Sequence, residues 1–191
     1  LRTRRALPSV WTPRFEGLHD ALAGSGITVK LCFVGTPPTK AASDALRWLS
    51  RADRPGALMG LDPGTKTIGV AVSDGLRMTA TPLETVRRSK FQVDAARLRE
   101  IAEGRGIVGV VVGLPRNMDG TEGPRAQSAR AFARNVAGAL GLPVVLWDER
   151  MTTLQAQRVM KELSVKTRGN KGQVDRIAAT LMLQEYLKTL T

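Results

Sequence analysis

The sequence predicts an α/β domain: a mixed five-stranded sheet with helices on both faces. Three observations predict it. Residues 58–62 and 68–74 are short apolar runs joined by a turn that contains Pro63 and Gly64, which is a hairpin pattern. Residues 107–114, "IVGVVVGL", form a continuous β-branched run, as expected of a strand buried on both faces. Beyond residue 91 helical and strand patterns alternate, which implies parallel strands joined by crossover helices.

Each element has its own signal. Residues 78–86 read as a third strand interrupted by Pro82. Residues 91–104 set Ala95, Leu98, Ile101 and Ala102 at helical spacing and end at Gly104. After the fourth strand at 107–114, residues 122–140 form a long helix rich in Ala and Arg, stopped by Gly141. Residues 142–147 are a fifth, buried strand. Residues 152–163 are a helix with Thr152 or Thr153 as cap. Residues 164–172 are a polar, basic loop, and residues 174–190 a closing helix. The predicted order is β-β-β-α-β-α-β-α-α.

This domain spans residues 57–191. Residues 1–56 form an N-terminal extension with nine Lys/Arg against four Asp/Glu and five prolines. A helix is predicted over 41–52, and the extension as a whole is expected to be partly disordered. No apolar segment follows its first arginines, which argues against a secretory signal. Glu16 and Asp20 argue against a transit peptide.

The 191 residues carry 29 Lys/Arg and 17 Asp/Glu, a formal net charge of +12. That balance favours a polyanionic partner, nucleic acid ahead of an anionic membrane. No apolar run approaches the roughly 20 residues of a membrane span. The single cysteine, Cys32, cannot form an internal disulfide and fits a reducing, cytoplasmic setting. With His19 as the only histidine, a Ser-His-Asp or Cys-His mechanism is disfavoured. Acid–base or metal chemistry falls to carboxylates.

Strand ends on one edge of such a sheet lie together, and sites form there. Asp62 closes the first strand. Asn117 and Asp119 follow the fourth. Asp148 and Glu149 end the fifth, and alternation sends them to opposite faces, so only one can serve a given site. Asp175 is placed in the first turn of the last helix, with Ala178, Ala179 and Met182 on its face. The two alanines would let the helix start lie close to the sheet, and Asp175 could then approach Asp62. Three converging carboxylates suit Mg²⁺ or Mn²⁺. Two such ions, about 4 Å apart, can activate a water for phosphodiester hydrolysis. Ordinary roles remain open for each acid. Asp62 could be a turn acid, Asp175 a helix N-terminal charge and Glu149 a partner of Arg150. Asp119 before Gly120 reads as a turn acid.

Four segments, "GLDPGTKTIGVAVSD", "GVVVGLPRNMDGTEGPRAQSARAFA", "LWDERMTT" and "QVDRIAATLMLQEYL", occur in this order. Together they resemble the YqgF/RuvX family of the RNase H-like superfamily, described both as pre-16S rRNA nucleases and as Holliday junction resolvases. The likeness covers about residues 58–190. It implies an RNase H-like fold and a divalent-metal-dependent endonuclease using Mg²⁺ or Mn²⁺. The family's first-strand Asp falls on Asp62, the Glu of its D-E-R motif on Glu149 and its final-helix Asp on Asp175. Asn117 stands where a fourth acid of such sites would be sought.

Lys66, Arg116, Asn117, Arg125, Arg150, Lys166, Arg168 and Lys171 are candidate nucleic-acid contacts, with Arg130 a further phosphate ligand. Such contacts position a substrate and carry little sequence information. Eight aromatic residues are too few for an extensive base-stacking platform. The expected partners are pre-rRNA or branched DNA and the ribosome or its assembly factors. No membrane partner is expected, and the chain should be a monomer or weak homodimer. The related actin, sugar-kinase and chaperone ATPase clan shares a D-x-G-T hairpin but needs two lobes. Here no second D-x-G hairpin follows. A non-catalytic RNA-binding module is the other competing reading.

Overall fold

A computed structural model of the chain describes residues 30–32, 56–117, 119–148 and 171–190. The strands are β1 (Lys30–Cys32), β2 (Ala57–Pro63), β3 (Thr67–Ser73), β4 (Ala80–Arg87), β5 (Ile107–Leu114) and β6 (Val144–Asp148). The helices are α1 (Phe91–Gly104), α2 (Pro124–Leu140) and α3 (Lys171–Lys188). The sheet order is β1-β6-β5-β2-β3-β4. β2, β3 and β4 pair as an antiparallel meander, while β5 and β6 continue parallel to β2. These are the five strands the sequence predicts, in the RNase H-like arrangement that the resemblance implies. A sixth, β1, comes from the N-terminal extension and pairs antiparallel with β6.

Several bounds differ from the sequence reading. β4 runs through Pro82 instead of breaking there. A register shift between Val70 and Ala71 accommodates the ring, and β4 is an edge strand, where proline is tolerated. α3 begins at Lys171, so Lys171 and Gly172 are helical rather than loop, and Asp175 lies beyond the first turn. The predicted helix 152–163 and residues 164–170 lie outside the described residues.

Two layers cover the sheet. On one face Met59, Leu61, Val70, Val110, Val112 and Leu146 meet Leu98, Phe132 and Val136 of α1 and α2. On the other, Leu58, Ala71, Val111, Val145 and Trp147 meet Ala179, Leu183, Tyr186 and Leu187 of α3. β5 contributes to both clusters, which explains its unbroken apolar run. α2 opens with Pro124 after Gly123 and closes on Gly141 at φ 65°, the left-handed position that glycine fills without strain.

The β3–β4 connection is organised by Asp74. Its carboxylate accepts from the backbone N–H of Leu76 at 3.1 Å and of Met78 and Thr79 at 2.8 Å each. These donors, Thr79 foremost, hold the Asp74 pKa below its ordinary 3.8. Glu84 is lowered too, chiefly by its hydrogen bond from Arg97. A depressed carboxylate stabilises the fold fully above its unfolded pKa, and that stability is lost as pH falls through the folded value. Thermal midpoints are therefore expected to fall on acidification below the ordinary carboxylate range. Asp74→Ala should cost about 1 kcal/mol at neutral pH and flatten part of that acid limb, as melting curves across pH would record.

Candidate functional site

The site begins at the β2–β3 hairpin. Asp62 is the register partner of Gly69. Leu58 and Ala71 face α3, so alternation places Asp62 and Gly69 on that face as well. Gly69 is the closest approach of helix to sheet. A Cβ there would stand 2.0 Å from the Asp175 carbonyl oxygen, so only glycine lets the helix backbone lie where it does. Gly60 repeats the device on β2, where a Cβ would meet the Leu183 Cβ at 2.9 Å and the Ala179 carbonyl oxygen at 3.2 Å. The close helix–sheet contact expected from Ala178 and Ala179 is thus made mainly by two strand glycines, with Ala179 fully buried between them.

Asp175 is consequently held over the strand pair that carries Asp62. The Thr67 hydroxyl donates to Asp175 Oδ2, and Thr85 Oγ1 donates to the Gly172 carbonyl at 2.5 Å. These two bonds tie the first turns of α3 to β3 and β4. The turn itself is held from the opposite layer. Arg88 Nη1 donates to the Gly64 carbonyl at 2.9 Å, its backbone N–H donates to the Lys66 carbonyl at 2.9 Å, and its guanidinium lies 5.5 Å from the Phe132 ring centroid. Lys66 is exposed at the turn.

Asp148 takes the other face. It is 5% exposed, and Arg116 Nη1 donates to its Oδ2 at 3.3 Å. Arg116 Nε lies 3.6 Å from Glu122 Oε1, and Glu122 is also gripped by Arg130. Arg116 and Arg130, both candidate phosphate ligands, therefore already serve an internal ion-pair network. Asn117 Nδ2 donates to Thr121 Oγ1 at 2.8 Å, and Asp119 Oδ1 accepts from the Thr121 N–H at 2.8 Å. Both order the loop after β5, and Asp119 acts as the turn acid its sequence suggests. Arg125 is exposed at the start of α2.

Glu149, Arg150, Lys166 and Arg168 lie outside the described residues, as does the side chain of Lys171. Among the described residues no group of three metal-ligating side chains occurs. The donors present are two carboxylates on one face, one steadied by a hydroxyl. Such oxygen donors fit a hard divalent cation. Sequence reasoning overlooked Gly69, Thr67 and Arg88. The glycine carried a readable signal, since an isolated glycine within an apolar strand marks a close backbone approach.

The family profile described as "RuvX: Holliday junction resolvase" matches residues 56–189. The chain belongs to the RuvX family. A relative of this RuvX-family chain in Cereibacter sphaeroides (strain ATCC 17025), named "Putative pre-16S rRNA nuclease", is 57% identical over 143 residues, covering 75% of this chain and 89% of the relative. A Paracoccus denitrificans protein of the same name is 53% identical over 137 residues, covering 72% and 87%. Among solved structures, T. thermophilus RuvC in complex with a Holliday junction substrate aligns with a TM-score of 0.47 at 20% identity, covering 70% of this chain and 96% of that one. No helix among the described residues is long and apolar enough to cross a membrane.

Proposed function

We propose that this RuvX-family chain is a divalent-metal-dependent endonuclease that hydrolyses phosphodiester bonds in the cytoplasm, acting in 5′-end maturation of pre-16S rRNA. The observation that carries the reading is the placement of Asp175 over Gly69, the register partner of Asp62. A glycine thus admits the helix that carries Asp175 onto the face that strand alternation gives Asp62. The names of the relatives support RNA as substrate, and the +12 net charge suits any nucleic acid.

Asp62, Asp175 and Glu149 would hold Mg²⁺ or Mn²⁺. Glu149 is the ligand that the D-E-R motif of the family resemblance implies, and strand alternation continued past Asp148 would send it to the face Asp148 does not use. When bound, such an ion supplies Lewis-acid stabilisation of charge at the phosphate and a more acidic water. Thr67 fixes the Asp175 carboxylate, and Arg88 holds the backbone of the turn that follows Asp62. Lys66, at the rim of that turn, is placed to meet a phosphate as a point charge.

A pre-16S rRNA 5′-leader fragment and a four-way DNA junction, each incubated with Mg²⁺, Mn²⁺ or EDTA, test the proposal. Metal-dependent cutting of the RNA is expected. Cutting of the junction instead would move the biology to DNA resolution, which the family description favours. Tight, salt-sensitive binding without cutting of either would point to a binding module or to a requirement for the ribosome.

A further inference from the structure

We propose that Arg87 is the residue that grips a nucleic-acid phosphate beside the acidic pair, an assignment that rests on the nuclease reading above. Arg87 ends β4 as the register partner of Thr67. Its face follows from its neighbours. Val86 packs into the α1/α2 core, while Thr85 donates to the first turn of α3. Arg87 therefore shares the α3 face with Thr85, two residues before it. Directly paired residues have Cβ atoms about 5 Å apart. Arg87 thus flanks Thr67, the residue that holds Asp175.

Arg87 is exposed, and among the described residues its guanidinium makes no ion pair or hydrogen bond. Arg176, next to Asp175 on α3, is part-buried rather than exposed, and four further arginines are committed. Arg97 is held by Glu84 and Glu100, and Arg116 by Asp148 and Glu122. Arg130 is held by Glu122, and Arg88 bonds the turn. An exposed arginine on the strand beside Thr67, which itself bonds Asp175, is available to an anion that a ligand brings. Its planar donors match two phosphate oxygens. Carboxylates alone repel a phosphodiester, and Arg87 offsets that repulsion where the backbone enters. The ligand class is a nucleic-acid strand bound through its backbone, without regard to base.

The test uses the full chain carrying Asp62→Asn, so that bound substrate stays intact. Affinities for the 5′-leader RNA and for a four-way DNA junction are measured across a salt series. Arg87→Ala is compared with Arg105→Ala, which removes an exposed charge beside the start of β5, at the opposite end of the strands from Asp62. Arg87→Ala should reduce the slope of log Kobs against log salt by about 0.7–0.9, and Arg105→Ala should leave it unchanged. In the otherwise unaltered chain, Arg87→Lys should keep the slope but lower kcat/KM about tenfold, mainly through KM, as one charge-assisted hydrogen bond is lost. Equal slopes for the two alanine variants, in a chain that binds, would overturn the Arg87 assignment and leave the nuclease reading standing. A parent with no salt-dependent binding, and a wild type with no cleavage, would overturn both.

Discussion

Asp62→Asn lowers the cleavage rate by a factor of about a thousand or more, while nucleic-acid affinity stays nearly intact. That is the result expected if Asp62 holds a cation and does not itself bind substrate. Asparagine keeps the shape and one oxygen but removes the charge. Losing a single electrostatic stabiliser of a reacting centre typically costs a hundred- to a thousand-fold, and loss of metal affinity adds to this. The fold should tolerate the change, because Asp62 is only part-buried at the end of β2. Calorimetric titration with Mn²⁺ gives a readout separate from turnover, and the variant should bind the ion more weakly. Cleavage at the wild-type rate would remove Asp62 from the mechanism.

Gly69→Ala tests the placement of the helix itself. The added methyl would lie 2.0 Å from the carbonyl oxygen of Asp175 and 2.4 Å from its carbonyl carbon. Both are backbone atoms, so no side chain can swing away. α3 must lift from β3 or the strand must bend. Overpacking of this kind costs about 3 kcal/mol, or roughly 10 °C in a chain of this size. The same displacement carries Asp175 away from Asp62, so cleavage should fall with stability. Wild-type melting and cleavage would mean that the helix does not rest on Gly69.

The parts of the fold that the sequence made legible are those governed by local pattern. The run in β5 carries no polar residue because both faces are covered, and that run identified a central strand directly. Gly141 stopped α2 because its backbone must turn left-handed. Pro82 misled, since a proline reads as a break, whereas an edge strand with a register shift absorbs it. β1 was missed because three residues carry no periodicity, and its existence depends on β6, more than a hundred residues away.

The candidate site shows the same division. Asp62 and Asp175 could be singled out as acids at element ends. The approach of the Asp175 backbone to the strand pair that carries Asp62 depends on Gly69, and a glycine contributes by what it lacks. The start of α3 was misjudged by three residues, because the polar segment before Val174 looks like loop in isolation. That shift matters, since it puts Asp175 past the first turn and weakens a simple helix-end role, where the dipole acts most strongly. Arg87 and Arg88 were indistinguishable as neighbours in a row of basic residues. Only strand alternation separates one that faces the acids from one that braces the turn.

The short strand β1 has a bearing on solubility. It occupies the outer side of β6, whose residues read Val-Val-Leu-Trp-Asp. Without it, that apolar strand would end the sheet with its N–H and C=O groups open along one side, a ready template for pairing with another chain. Lys30–Cys32 covers that side along Val144–Leu146. Three residues of the N-terminal extension thereby help to keep a strongly apolar sheet from recruiting copies of itself.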